Sequence, residues 1–231
     1  MKKAIVIGAT SGIGKGLAKI LADNSFKVGI TGRRTELLEE LKSQKPNSFI
    51  TKDFDITDTK VIKENLDKLI TELDGLDLLI ISSGTGDLNE KQTIETNVLG
   101  FTCVANWAFN YFETQKSGHL VAISSVGGLR GSRIAPAYNA SKAFQINYLE
   151  GLRQKAKKLN EQVFVTDIRP GFVDTDMAKG EGQFWVASVD KATRQIFDAI
   201  KQKKKIVYIT KRWRLIAIIL KRIPRQLYDR M

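Results

Sequence analysis

The sequence has little of what binds metals or forms disulfides. Among its 231 residues are one cysteine, one histidine and four prolines. A lone Cys103 excludes an internal disulfide and a multi-cysteine zinc site, and a lone His119 argues against a histidine-based metal centre. With 42% hydrophobic and 27% charged residues, the composition is typical of a globular chain. We therefore expect a folded protein whose function needs no metal.

Long apolar runs are also lacking. No stretch reaches the roughly 18 apolar residues that span a bilayer. The apolar run at residues 4–7 is too short for a signal peptide and passes directly into a glycine motif. We therefore expect a cytoplasmic protein, and its length suits one main domain.

Acidic residues are scarce only at the end of the chain. Residues 1–200 carry 26 basic and 24 acidic side chains, whereas residues 201–231 carry 11 basic side chains and one acid, Asp229. The net charge of +12 therefore divides into +2 and +10. Because nucleic-acid-binding proteins usually spread basic residues through the folded domain, we do not expect a nucleic-acid partner.

Short apolar runs alternate with longer helical patterns along the chain. The runs predict strands at 3–7, 27–31, 48–52, 77–82, 119–124, 162–168 and 205–209. The helical patterns lie near 13–23, 35–44, 58–73, 90–115, 137–158 and 189–202. Nearly continuous apolar strands are expected when helices cover both faces of a parallel sheet. We therefore predict a doubly wound α/β fold with a Rossmann-type parallel sheet, whose ligand crevice lies beyond the carboxyl ends of the strands.

A glycine-rich turn joins the first predicted strand to the first predicted helix. Glycines let the backbone approach a pyrophosphate closely, and the helix presents free N–H groups and its positive dipole end to the anion. We predict a dinucleotide site here, with contacts from Gly8, Thr10, Ser11, Gly12, Ile13 and Gly14.

The end of the second predicted strand distinguishes between two cofactors. NAD sites normally place an acid there for the ribose 2′-hydroxyl, whereas NADP sites place an arginine for the 2′-phosphate. This chain has Arg33 and Arg34 and no acid at that point. We predict NADP(H) with Arg33 on the phosphate; the alternative for either arginine, and first for Arg34, is a side chain that points to solvent.

These features and several later ones resemble the classical short-chain dehydrogenase/reductase family over about residues 3–210. The marks, in chain order, are Gly8-x-x-x-Gly12-x-Gly14, Asp55-Ile56, Asn97, Ser125, Tyr138-x-x-x-Lys142, Pro170-Gly171 and Thr175. Each motif alone is weak, and the ordered set is specific. The resemblance implies an NADP-dependent oxidoreductase that interconverts a small-molecule carbonyl and an alcohol. It also implies a homodimer or homotetramer formed through the helices that contain Asn97 and Tyr138.

The spacing of the catalytic candidates follows helix geometry. Residues four apart share a helix face, so Tyr138 and Lys142 should project into one crevice. We expect the lysine ammonium to lower the tyrosine pKa from its usual value near 10 and so to make the phenol a general acid/base. Ser125 follows a predicted strand and would hold the substrate oxygen; Ser124 competes, but the family spacing to Tyr138 favours Ser125. The alternatives are a core tyrosine, a solvated lysine and a serine cap.

Other roles rest on the resemblance alone. Lys142 would also bind the nicotinamide ribose, and Asn97 would hold a water that links Lys142 to solvent; the alternative for Asn97 is an exposed helical residue. The remaining cofactor contacts would be Asp55, Ile56, Ser83, Gly84, Pro170, Gly171, Val173 and Thr175. One departure stands at 81–84, where Ile-Ser-Ser-Gly replaces the family's Asn-Asn-Ala-Gly. We expect lower rigidity there rather than lost activity.

Two segments after the motifs remain open to interpretation. Residues 177–188 contain Gly180, Gly182, Phe184 and Trp185, and predict either a lid that closes on substrate or an ordinary surface loop. Arg130 and Arg133 would attract an anionic substrate or lie in a solvated loop.

Residues 211–231 are predicted to be a basic amphipathic extension of a domain formed by residues 1–210. As a helix, the segment places Trp213, Ile216, Leu220 and Ile223 along one stripe. This stripe fits either an anionic membrane surface or packing on the protein itself or a subunit partner. Two further hypotheses follow for the whole chain: a non-catalytic NADP-binding regulatory scaffold, and a peripheral membrane module.

Overall fold

A computed structural model of the chain describes residues 1–86, 89–177 and 182–230. Seven parallel strands form one sheet in the order β3-β2-β1-β4-β5-β6-β7. The strands are β1 Lys3–Ile7, β2 Lys27–Gly32, β3 Phe49–Asp53, β4 Leu78–Ile81, β5 Ser117–Ile123, β6 Gln162–Pro170 and β7 Ile206–Ile209. The predicted doubly wound α/β fold is confirmed.

Helices cover both faces of this sheet. They are α1 Gly12–Asp23, α2 Thr35–Gln44, α3 Thr59–Leu73, α4 Glu90–Ile94, α5 Phe101–Gln115, α6 Pro136–Leu159, α7 Val189–Lys201, α8 Trp213–Arg222 and α9 Arg225–Tyr228. The strands and helices lie within a few residues of their predicted bounds. Among the described residues, no helix is long and apolar enough to cross a bilayer.

One predicted helix differs in kind. The pattern at 90–115 predicts a single regular helix, but a π-helical turn, Glu95–Gly100, separates α4 from α5. Gly100 packs against the backbone carbonyl of Ile56, where a Cβ would overlap it. Such π-helical turns are frequent at functional sites. Here the turn contains Asn97, whose side chain is fully buried.

The apolar strands divide their side chains between two cores. Along β1, Ala4 and Val6 belong to the cluster that includes α1 and α7, while Ile5 and Ile7 belong to the cluster that includes α3 and α5. Successive strand residues point to opposite faces, so a strand covered on both sides must be apolar throughout. The strand order reverses between β1 and β4, and the crevice beyond this reversal is where such sheets bind ligands.

Candidate active site

The glycine turn after β1 is shaped by contacts that no side chain would permit. Gly8 has a φ of +86°, and a Cβ on it would lie 2.7 Å from Ser83 N. A Cβ on Gly14 would overlap the carbonyl oxygen of Gly8. The α1 helix therefore begins close against the ends of β1 and β4, and Ser11 at its N-cap makes no side-chain capping bond. Its first N–H groups are directed to where an anion can accept from them.

Two further observations fit a dinucleotide at this turn. Among the described residues, the Ser83 hydroxyl oxygen is buried with no hydrogen-bond partner. On the opposite side, Thr175 lies over the turn, with its methyl carbon 3.1 Å from the position of a Cβ on Gly12. A backbone cradle, an unpaired hydroxyl and a covering threonine suit a phosphate-bearing cofactor.

The two arginines after β2 have different partners. Arg33 Nη1 lies 3.4 Å from Asp55 Oδ2, an exposed pair that contributes little to stability. Arg34 Nη2 donates to Thr10 Oγ1 at 2.7 Å and to Ser11 Oγ at 3.1 Å. Arg34 is exposed, but these bonds hold its guanidinium at the glycine turn instead of leaving it free in solvent. The Arg34 guanidinium thus contacts the glycine turn, whereas the Arg33 guanidinium lies beside Asp55.

The two residues predicted to contact the cofactor after β3, Asp55 and Ile56, lie in different surroundings. The Asp55 carboxylate accepts from Thr57 N at 2.9 Å and also faces Arg33. The adjacent Ile56 is buried against the π-helical turn.

The two serines after β5 point in different directions. Ser124 Oγ donates to Asp167 Oδ1 at 2.5 Å, inside the sheet. Ser125 Oγ accepts from Gly127 N at 3.0 Å and forms a hydrogen bond with the Tyr138 side chain. Ser125 is therefore the serine that faces the tyrosine.

The electrostatics of Tyr138 differ from the expectation. Burial raises the tyrosine pKa, and the hydrogen bond with Ser125 opposes this shift. The prediction that the lysine ammonium lowers this pKa is wrong for the chain alone. Lys142 Nζ lies 5.9 Å from the centre of the tyrosine ring, and its hydrogen bonds go to Ile123 O and Gln145 Oε1, each at 3.0 Å.

Lys142 itself is a buried cation. Its side chain lies inside the site rather than on a solvated helix face, so that alternative is wrong. Burial lowers its pKa to about 8, against the opposing effect of the Asp167 charge. A group with this pKa remains mostly protonated at neutral pH and titrates well below an exposed lysine.

Asn97 is also buried, which excludes the exposed alternative. Its Oδ1 accepts from Thr85 N at 2.9 Å, and its Nδ2 donates to Thr85 O at 2.8 Å and to Ser141 Oγ at 3.0 Å. Its backbone carbonyl accepts from Gln145 Nε2 at 2.9 Å. Gln145 thus bridges Lys142 and Asn97. The sequence analysis missed it, although a polar residue one turn after Lys142 on a buried helix face is a usable signal.

A buried ion pair lies in β6, where the pattern predicts an apolar strand. Arg169 Nη2 lies 2.6 Å from Asp167 Oδ2, and Arg169 Nη1 donates to the Tyr208 hydroxyl at 3.3 Å. Both charges are almost fully buried. Within residues 1–86, 89–177 and 182–230, no group of three or more His, Cys, Asp and Glu side chains is placed to hold a metal ion.

The strand β6 ends at Pro170, and the chain then meets α8. The Trp213 indole ring occupies the space that a Cβ on Gly171 would take. Its ring centre lies 5.5 Å from that of Phe172 and 5.1 Å from that of Phe184. Val173 is buried and pairs with Ala187 as an isolated bridge.

These contacts bear on the predicted lid at 177–188. Phe184 and Trp185 pack on each other and on Trp213, so part of this segment contacts the C-terminal helices. Gly180 lies outside the described residues.

The loop between Ser125 and Tyr138 holds the other end of α8. Arg130 Nε donates to Leu220 O at 2.8 Å, and its guanidinium also donates to Ile223 O. Tyr228 donates from its hydroxyl to Gly131 O at 2.5 Å, and its ring lies under Arg130. The Arg130 guanidinium therefore caps the C-terminal end of α8, which is neither of the two roles predicted for it. Residues 211–230 pack on the protein's own body, one of the two predicted alternatives.

Known proteins are similar to this chain in both sequence and fold. The family model for short chain dehydrogenase matches residues 2–184. An uncharacterised oxidoreductase of Myxococcus xanthus is 35% identical over 188 residues, which is 76% of this chain and 74% of that protein. A second, from Mycobacterium tuberculosis, is 30% identical over 207 residues, 83% of this chain and 81% of its own length.

Solved structures agree with the fold. A short chain dehydrogenase from Burkholderia cenocepacia in complex with NADP has a TM-score of 0.83 at 21% identity, covering 100% of this chain and 98% of its own. A Burkholderia phymatum short chain dehydrogenase/reductase in complex with NAD has a TM-score of 0.81 at 19% identity, covering 96% of each chain. The chain belongs to the short-chain dehydrogenase family. This is a family of oxidoreductases that use a nicotinamide cofactor.

Proposed function

We propose that this chain is an NADP-dependent oxidoreductase that interconverts a carbonyl and an alcohol by hydride transfer, with Tyr138 as general acid and base. The observation that carries the proposal is the meeting of Ser125, Tyr138 and Lys142 near the end of β4, where Lys142 Nζ lies 3.4 Å from the position of a Cβ on Gly84. The nicotinamide, when bound, supplies or accepts the hydride. Gly8, Gly12, Gly14, Ser83 and Thr175 would hold the cofactor along this turn.

Each catalytic side chain has a distinct task. Ser125 donates a hydrogen bond to the substrate oxygen, while its own oxygen is held by Gly127 N. Tyr138 moves the proton to or from that same oxygen. Because burial raises its pKa, the phenol keeps its proton at neutral pH and can donate it to a carbonyl oxygen. Lys142 places a buried positive charge near the developing oxyanion and the cofactor ribose.

The test compares two tyrosines on α6. Tyr138→Phe should bind NADPH yet lose turnover by about 10³-fold, the scale of general acid–base catalysis. Tyr148→Phe is the matched control, because Tyr148 packs on Phe101 and Phe144 away from the site. NADPH consumption is measured across a panel of small ketones and aldehydes. Undiminished turnover in Tyr138→Phe contradicts the mechanism, and no turnover in the wild type across the panel favours the scaffold hypothesis.

The preference for NADP is supported by the two arginines after β2, with no acid at the same point. Arg33→Ala should raise the KM for NADPH by about 10- to 100-fold, the range for lost hydrogen bonds to a charged group, and leave that for NADH unchanged. Arg194→Ala, an exposed arginine on α7, is the control. An equal rise in KM for NADPH and NADH would show that Arg33 does not bind the 2′-phosphate.

Self-association is proposed through the helices that contain Asn97 and Tyr138. Exposed Ile94, Leu99 and Phe144 lie on these helices. Sedimentation equilibrium should give a dimer or tetramer that Leu99→Arg weakens.

We also propose that residues 1–210 form the catalytic domain and 211–231 an extension, since β7 ends at Ile209. The cytoplasmic location stays a prediction.

A further inference from the structure

The outward side of α8 is apolar although its inward side already packs on the body. Trp213 and Ala217 are buried, whereas Leu215, Ile218 and Ile219 are 61%, 40% and 57% exposed. Residues three and four apart share a helix face, so these three side chains form one patch, which we call the outer face of the tail. Contiguous exposed apolar side chains of this kind mark interaction sites.

The surroundings of the outer face are cationic. Seven exposed basic side chains lie on or beside α8 and α9: Lys211, Arg212, Arg214, Lys221, Arg222, Arg225 and Arg230. The single acid of this region, Asp229, lies 3.8 Å from Arg225. An apolar patch ringed by cations complements a surface with an apolar interior and negative headgroups.

We propose that the outer face of the tail docks on a lipid bilayer that contains anionic lipid. Charge complementarity selects this occupant, because the net +10 of residues 201–231 is carried by a body with a net charge of only +2. The docked helix lies beside the site. Trp213 rests on Gly171, and Arg130, five residues after Ser125, caps the helix end. Docking therefore places the substrate side of the crevice next to the membrane, where apolar carbonyl compounds concentrate.

The experiment uses the full chain and sedimented vesicles of phosphatidylglycerol with phosphatidylcholine, or of phosphatidylcholine alone. Binding should require the anionic lipid and weaken with added salt. Leu215→Ser with Ile219→Ser should abolish it. Arg214→Gln with Arg222→Gln should weaken it about 25-fold, since each basic side chain near an anionic surface contributes about fivefold.

The matched control changes the same charge at the opposite end of the strands, their amino ends. Lys157 and Lys158 are exposed at the end of α6, before β6 begins, and their double change to Gln should alter binding less than about twofold. All altered side chains are exposed, and equal melting temperatures check folding. No binding to anionic vesicles, or equal losses in the tail and control variants, overturns the proposal. Loss of self-association in Leu215→Ser with Ile219→Ser also overturns it and assigns the face to a second copy.

A second inference concerns Gln145 and rests on the proposed function. The Gln145 side chain is buried, and both ends of its amide are used: Oε1 accepts from Lys142 Nζ and Nε2 donates to Asn97 O. We infer that Gln145 is a positioning residue that holds Lys142 Nζ in place by tying it to the backbone of the π-helical turn. The charged and titratable groups that face Lys142 are Tyr138 on α6 and Asp167 on β6, and Asp167 is itself paired with Arg169.

The test has a readout that needs no turnover. The burial that lowers the Lys142 pKa to about 8 makes stability rise as pH increases from there towards the unfolded value of 10.5. Gln145→Glu adds a carboxylate beside the ammonium and should move the onset of this rise upward by at least about one pH unit. Gln154→Glu, on an exposed position of α6, should not move it.

Catalysis provides the second readout. Gln145→Leu should lower kcat about tenfold with little change in KM, and Gln145→Glu should shift the pH profile of kcat in the same direction as the stability curve. An unmoved stability curve in Gln145→Glu overturns the role of Gln145. A moved curve in a protein without turnover keeps that role and contradicts the proposed function instead.

Discussion

The catalytic side chains and the C-terminal helices are attached to the same crevice by different kinds of contact. Lys142 is fixed by two hydrogen bonds at 3.0 Å, to the end of β5 and to a residue one turn away. The tail is held by aromatic rings around Trp213 and by Arg130, which reaches 90 residues along the chain. Hydrogen bonds orient atoms, whereas ring packing holds an element without fixing each atom. Lys142 is therefore held by directional bonds alone, whereas the tail combines ring packing with the hydrogen bonds of Arg130 and Tyr228.

The strongest way to break this contrast is to remove the ring that attaches the tail. Trp213→Ala should cost about 4 kcal/mol of docking free energy, as expected for a buried tryptophan reduced to alanine. Residues 211–231 should then become sensitive to limited proteolysis while the seven-stranded body stays intact. Leu215→Ala, on the exposed side of the same helix, should leave the tail protected. A protected tail in Trp213→Ala would show that Arg130 alone suffices.

The second prediction concerns the catalytic region and removes its buried cation, Lys142. The pKa of Lys142 is lowered to about 8 from 10.5, so the folded chain loses this proton before the unfolded chain does. Wild-type stability should therefore gain up to about 3 kcal/mol from this group as pH rises from 8 to 10.5, and Lys142→Met should lack that gain.

Denaturant unfolding of both proteins between pH 7 and pH 10 measures this difference. Lys155→Met is the control, because Lys155 is exposed on the same helix. Parallel curves for wild type and Lys142→Met would mean that the ammonium is not desolvated.

The smallest expected effect comes from one hydroxyl in the tail. Tyr228→Phe removes the hydrogen bond to Gly131 O but keeps the ring under Arg130, so it should destabilise docking by about 1 kcal/mol. Hydrogen exchange of the α8 amides measures the change, with Tyr148→Phe as a control away from the tail. If the α8 amides of Tyr228→Phe exchange as fast as those of Trp213→Ala, hydrogen bonds rather than ring packing hold the tail, and the contrast is wrong.

Local patterns predict the parts of this molecule that depend on local structure. Strand and helix alternation predicts the sheet, and the spacing of Tyr138 and Lys142 predicts a shared helix face, because both follow from backbone geometry. The π-helical turn is not predicted, since it depends on the contact of Gly100 with Ile56.

The pKa of Tyr138 shows the same limit. The sequence places a cation four residues away, but burial, which only the packed structure determines, acts more strongly. The partners of Arg130 lie 90 and 93 residues away, and no local pattern connects them.

The attachment of α8 also sets a condition for exchanging parts between family members. The family match ends at residue 184, yet Arg130 and Gly171, on which α8 rests, lie inside it. A chimera that receives residues 211–231 alone would lack the arginine and the glycine that α8 contacts. The transplantable unit is discontinuous: the tail, a glycine after the sixth strand, and an arginine five residues beyond the catalytic serine.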